Sequence, residues 1–149
     1  GTNGAIAQIL AIGNPAIFWG SVGALPFTAW CWRRSRDWRA GVIVVAILVQ
    51  WLAWAAVSRP QFFFYVLPIT PFMVLACVYT VRFFYEATFV QTDPSTGERI
   101  ESRYHPYRPV AWLFVLLSGG LFVWFWPVLT GGMLSHDAWM MRIWRTRWI

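Results

Sequence analysis

Arg59 is the residue whose surroundings most invite chemistry. It stands in a short polar turn, Ser58-Arg59-Pro60-Gln61, between two apolar runs, and an aromatic stretch from Phe62 to Tyr65 follows it. A guanidinium at such a place, stiffened by the next proline, can hold a phosphate through two parallel hydrogen bonds. Aromatic and leucine side chains beneath it would suit a lipid tail. The competing reading is an arginine that extends along apolar surface to reach headgroups. Asn14, Gln61, Tyr65, His136 and Asp137 are the other useful polar groups expected on the same side. Asp137 is the one carboxylate among them, too few for acid–base work on a sugar, which needs a positioned carboxylate with polar support. Its place after Ser135 marks it as a helix-terminus residue.

Other candidate groups read as structural. Cys31 and Cys77 lie in or beside apolar runs and suit small buried hydrophobes. They show neither a disulfide framework nor metal-ligand spacing. Asp93, Glu98 and Glu101 also lack metal spacing and belong to a solvated turn, so no metal site is expected. Gln50, in the middle of an apolar run, is expected to make an interhelical hydrogen bond. Gly20, Ala24 and Ser118-Gly119-Gly120 are expected to let helices approach closely.

The elements that must position these residues are apolar helices. A bilayer-crossing helix needs roughly 17–25 apolar residues, and four stretches meet this: about 15–32, 41–57, 62–84 and 110–129. Asn14 is a good N-cap for the first and Pro15 suits its first position. Pro26 should kink it, and Arg33, Arg34, Arg36 and Arg39 end it. The second and third, joined by a very short turn, should be antiparallel neighbours. Pro68 and Pro71 should bend the third. The polar stretch 86–109 is a cytoplasmic loop in which Asp93-Pro94-Ser95-Thr96-Gly97 predicts the turn of a small hairpin. After Thr130-Gly131-Gly132, the spacing of Trp139, Met140, Ile143, Trp144 and Trp148 predicts an amphipathic helix over 135–149. It either lies in the outer interface or packs on other protein. The fold class is therefore an all-α membrane protein with four spans and a C-terminal interfacial helix.

Composition agrees. Apolar residues make up 58% of the chain and charged residues 12%, half the roughly 25% usual in a soluble domain. Many of the twelve tryptophans sit at run ends, where the ring prefers the headgroup layer. Lysine is absent, so all twelve basic residues are arginine. They are spread among loops with no soluble domain to present them, which argues against nucleic acid. An extracytoplasmic start puts eight arginines inside (Arg33, Arg34, Arg36, Arg39, Arg82, Arg99, Arg103 and Arg108) and leaves Arg59, Arg142, Arg145 and Arg147 outside. Positive residues favour the inside, so both termini are expected to be extracytoplasmic in a multi-pass plasma-membrane protein. The Gly1-Thr2-Asn3-Gly4 start, without methionine or signal peptide, is expected of a piece of a longer chain.

Three segments then suggest a family. Ile12-Gly13-Asn14-Pro15 with Phe18-Trp19 resembles the signature opening the last four-helix region of protein O-mannosyltransferases. Arg59-Pro60-Gln61-Phe62 with Tyr65-Val66-Leu67-Pro68 is similar to a further segment of that family. Trp126-Pro127-Val128-Leu129-Thr130-Gly131 and Asp137-Ala138-Trp139 through Trp148-Ile149 resemble the actinobacterial type of ending. The resemblance covers nearly the whole chain in order. Departures are local: Phe63 and Phe64 replace histidines of eukaryotic members, Val66 separates Tyr65 from Leu67-Pro68, and Pro60 separates Arg59 from Gln61.

The resemblance implies a multi-spanning GT-C glycosyltransferase. Such an enzyme moves mannose, with inversion, from a polyprenyl-phosphate carrier to serine or threonine of an acceptor protein outside the membrane. It uses no cofactor beyond that donor. It also implies that the catalytic acidic pair lies in the first outer loop of the longer enzyme, absent here, so this piece contributes no catalytic residue. Arg59 would then sit near the donor phosphate, with Gln61 and Tyr65 lining the groove mouth. The expected partners are the lipid bilayer, polyprenyl-phosphate mannose, the acceptor protein and the enzyme's preceding helices. The alternative is a free-standing four-span accessory or scaffold protein without catalysis. A transporter half ranks behind both, because the spans lack the ionisable residues that transport pathways show.

Overall fold

The structure, a computed structural model, describes residues 6–10, 12–55, 66–101 and 104–143. Four long helices, α1 (Pro15–Ser35), α2 (Trp38–Ala55), α3 (Thr70–Glu86) and α4 (Arg108–Thr130), are followed by a short α5 (His136–Met140). Between α3 and α4 lies a two-stranded hairpin of β1 (Val90–Thr92) and β2 (Arg99–Glu101). The architecture is helical, as expected.

Helix ends follow local chemistry. Asn14 caps α1, its side-chain oxygen accepting from Ala16 N at 3.0 Å, with Pro15 in the first turn. The arginine run does not stop α1 at Trp32. The helix continues to Ser35 and closes on Arg36, which adopts a left-handed φ of 55° and donates its N–H to Trp32 O. The start of α2 comes three residues earlier than expected because Asp37 caps it, accepting from Arg39 N at 3.0 Å. Positions 56 and 57 of the expected second span lie outside the described residues.

The third span differs most. Residues 66–69 form turns, and α3 starts only at Thr70 with Pro71 in its first turn. Proline is tolerated there because the first helical N–H groups have no intrahelical acceptor. The two prolines therefore begin this helix instead of bending its interior. Positions 62–65 lie outside the described residues. In α4, Pro127 is interior, and the helix runs one further turn to Gly131, whose φ of 71° suits glycine at a helix end.

The hairpin forms as the turn residues predicted. Gln91 pairs with Ile100, Gly97 takes φ 70°, and Asp93 Oδ1 accepts from both Ser95 N and Ser95 Oγ. Those bonds hold the Asp93 carboxyl below its ordinary pKa.

Helix α1 is central, touching α2, α3 and α4. It runs alongside α3 in the same direction: Cys77 faces Ile17 and Gly20, and Phe27 stacks on Phe84 at 5.5 Å. Gly20 and Ala24 do give close packing. A Cβ on Gly20 would lie 2.7 Å from the Phe114 ring, and Ala24 joins a core with Ile43, Ile47, Ile69, Ala76 and Cys77. Gly119 and Gly120 do not, since a Cβ there would meet nothing within 4 Å. Gln50 also departs from expectation, donating to Ala46 O of its own helix at 3.2 Å. The carbonyl one turn back satisfies the amide within the helix itself.

A second core joins Phe125 and Val128 of α4 to Trp139 and Ile143, with Ile6, Leu10 and Leu134 against it. The helix expected over 135–149 is thus seen over His136–Met140, with a turn after it; Trp139 is buried on α4 while Met140 stays exposed. Residues 144–149 lie outside the described residues. Among the described residues one helix, α4, is long and apolar enough to cross a membrane, and the apolar part of α2 is shorter. Much of α4's outward face is exposed and apolar, including Trp112, Leu113, Leu116 and Val123. A solvated monomer rarely shows such a continuous patch.

Candidate lipid-binding groove

Of the expected site residues, Arg59, Gln61 and Tyr65 lie outside the described residues. The structure does describe what flanks them. Helix α2 delivers the chain to Ala55, and the chain resumes at Val66, covalently next to Tyr65. Val66 lines a groove of about 490 Å³ between three helices. Helix α1 supplies Phe18, Trp19, Ser21, Val22 and Leu25; α2 supplies Ile47 and Trp51; Ile69 and Met73 complete it at the start of α3.

The helix boundaries create this groove. Because α3 begins at Thr70, the chain at Val66–Ile69 turns across the bundle instead of filling the space beside α2. Thr70 Oγ1 donates back to Val66 O at 3.1 Å, holding that turn. Ser21, the one hydroxyl in the lining, donates to Phe18 O at 2.7 Å and is already satisfied. Among the described residues the groove offers no titratable group. It can hold hydrocarbon, and it falls within the roughly 300–1,000 Å³ of small-molecule sites. It cannot itself move a proton.

The other expected polar residues do not join it. Asn14 turns to α4, donating from Nδ2 to Ser118 O at 2.8 Å. His136 stacks on Trp139 with ring centroids 6.4 Å apart. Asp137 sits in the first turn of α5 beside its Ser135 cap, as a helix-terminus residue would. No group of three His, Cys, Asp or Glu among the described residues could hold a metal.

Two polar arrangements escaped the sequence reading. Arg142 donates from Nε to Trp124 O at 2.9 Å and from Nη1 to Ala138 O at 2.7 Å, with its guanidinium 4.5 Å from the Trp124 ring centre. This ties the segment after α5 to α4 beside Pro127. Pro127 leaves the Val123 carbonyl, four residues back, without its helical donor, so nothing in the sequence points to the Trp124 carbonyl that Arg142 reaches. At the opposite end Tyr79 Oη donates to Asp37 Oδ2 at 2.8 Å. That bond, with Arg39 N, holds the Asp37 carboxyl below its usual range. A second groove of about 350 Å³ separates α1, α3 and α4, lined by Gly20, Phe27, Thr80 and Phe114 among others.

Comparison with known proteins bears out the resemblance read from the residues. The chain is 29% identical over 149 residues to the polyprenol-phosphate-mannose–protein mannosyltransferase of Mycobacterium tuberculosis (strain H37Rv). It is 28% identical over 153 positions to the protein of the same name in Mycolicibacterium smegmatis (strain ATCC 700084). Each match covers 99% of this chain and 27% of the relative, so the chain spans about a quarter of the length of these curated relatives. No protein-family model matches the chain, and no solved structure does.

Proposed function

We propose that this chain is the C-terminal four-span membrane region of a GT-C glycosyltransferase that transfers mannose from a polyprenyl-phosphate carrier to serine or threonine of proteins. Helices α1 to α4 are the spans, both termini face the extracytoplasmic side, and transfer takes place on that side of the plasma membrane. The α1–α2–α3 groove takes the first isoprene units of the carrier. Arg59 holds the phosphate, and Gln61 and Tyr65 stand at the mouth. The catalytic acidic pair belongs to another part of the longer enzyme, and no cofactor beyond the donor is needed.

The observation that carries this reading is the apolar groove whose lining reaches Val66, the residue next to Tyr65. A donor of this kind has an apolar chain and an anionic head. An apolar groove beside a turn bearing one arginine matches both halves. The names of the relatives supply the same donor and acceptor classes independently.

The test is Arg59→Ala in the full-length protein, assayed in membranes with a polyprenyl-phosphate mannose donor. Losing charge-assisted hydrogen bonds of roughly 1.5–3 kcal/mol should lower transfer about 10- to 100-fold. Arg59→Lys keeps the charge without the planar fork and should fall between. Unchanged kinetics in Arg59→Ala would remove this residue from the donor site. Absence of transfer by the full-length protein itself would favour the scaffold alternative.

A further inference from the structure

The chain reaches α1 through backbone that is not helical. Ile6 exchanges two hydrogen bonds with Leu134, at 2.8 and 3.1 Å, and Leu10 N donates to Val128 O at 3.0 Å. The route ends at Asn14, bonded to Ser118 O. Ser118 is twelve residues before the end of α4, about 18 Å along the helix axis. The segment therefore runs along the C-terminal half of a helix apolar enough to cross a membrane.

Its hydrogen bonds lie on one edge. Ile6 bonds Leu134 just beyond α4 and Leu10 bonds Val128 in its last turn, a spacing of four that fits extended chain, in which alternate residues point their N–H and C=O groups the same way. The other edge carries the groups of Ala7 and Ile9. Neither residue has a main-chain hydrogen bond among the described residues, and both are exposed, Ile9 by 73%. Non-helical backbone at membrane depth is tolerated where it is covered by protein or lines a water-filled cavity, never against lipid. A free edge of alternating donors and acceptors also has a natural complement, the backbone of another extended chain.

We propose that the Ala7–Ile9 edge lines a water-accessible cleft on the extracytoplasmic side and receives an extended polypeptide by strand addition. The proposal rests on the membrane placement and protein acceptor given under Proposed function. It adds to them where the acceptor backbone is held. Recognition through main-chain groups tolerates varied side chains, as an enzyme acting on serine or threonine in many sequences requires. The bond from Asn14 to Ser118 fixes the floor of the cleft, because it anchors the inner end of the segment.

The experiment uses the full-length protein in sealed membranes with the extracytoplasmic side outward. Ala7→Cys and Val123→Cys are made separately and treated with a membrane-impermeant methanethiosulfonate, with the parent protein as background. Val123 is on the exposed apolar face of α4. Ala7→Cys should be modified, and Val123→Cys should not. A synthetic peptide rich in serine and threonine should slow the Ala7→Cys reaction. The same peptide N-methylated at alternate residues should need about tenfold higher concentration, which corresponds to about 1.4 kcal/mol for the backbone hydrogen bonding lost. Protection by both peptides alike, no protection by either, or an unreactive Ala7→Cys each overturns the strand-addition proposal while leaving the donor groove intact. Equal reaction of Val123→Cys would overturn the membrane placement of α4, and this proposal with it.

Discussion

Asn14 and Ser118 are 104 positions apart in sequence, yet the Asn14 amide donates to the Ser118 main-chain carbonyl across 2.8 Å. The same side chain caps α1 through its oxygen. One residue thus starts the first helix and sets how deep that start lies against α4. The depth matters because it aligns Phe18, Trp19 and Val22 with Trp51 and Met73 around the groove.

The two jobs of Asn14 can be separated. Asn14→Ser keeps a capping oxygen but loses the reach to Ser118, whereas Asn14→Ala loses both. Each lost bond should cost about 1 kcal/mol. Thermal unfolding in detergent should rank wild type above Asn14→Ser, and that above Asn14→Ala. Equal stability of wild type and Asn14→Ser would show that the bond to α4 contributes nothing.

Arg142 holds the segment after α5 to α4 through its two carbonyl acceptors and the Trp124 ring. Arg142→Lys keeps the charge and loses the forked geometry, at an expected cost of about 1–2 kcal/mol. Limited proteolysis should then cut more readily around residues 131–135, where the chain leaves α4 for α5. An unchanged cleavage rate would contradict the clamp.

Acid should loosen the opposite end. The Tyr79 hydroxyl and the Arg39 N–H lower the pKa of Asp37 in the folded protein. A carboxyl with a depressed folded pKa contributes stability that is present above its unfolded pKa, about 3.9. That contribution is lost as pH falls through the folded value. Wild-type unfolding temperature should therefore drop as pH is lowered from about 5 toward 3. Tyr79→Phe removes the main cause of the shift, so its curve should be flatter over the same range. Parallel curves for the two proteins would refute the assignment.

Much of this was legible in the sequence because it is local. Asn14-Pro15 announces a helix start through one side-chain acceptor and one missing donor, and both act within three residues. Asp93 through Gly97 likewise fixes the hairpin turn by itself. What escaped depends on partners distant in sequence or on competition between nearby ones. Pro68 and Pro71 read as kinks inside an apolar run, and the turn at 66–69 puts them at the start of the helix instead. Gln50 reads as an interhelical donor, yet its amide bonds Ala46 O one turn back on its own helix. The partnerships of Tyr79 with Asp37 and of Arg142 with Trp124 exist only once the helices are packed. For the groove, the sequence showed aromatic and leucine residues near Arg59. It could not show that residues from α1, through Phe18 and Val22, form one wall.

The proposed donor role of the groove is tested most directly by a photoreactive isoprenoid phosphate bound to the full-length protein in membranes, with the crosslinked residues mapped by mass spectrometry. Crosslinks should fall on Phe18, Val22, Leu25 and Met73, competed by natural polyprenyl-phosphate mannose and weakened in Arg59→Ala. Crosslinks confined to the outward face of α4, at Leu113, Leu116 or Val123, and insensitive to competitor would contradict it.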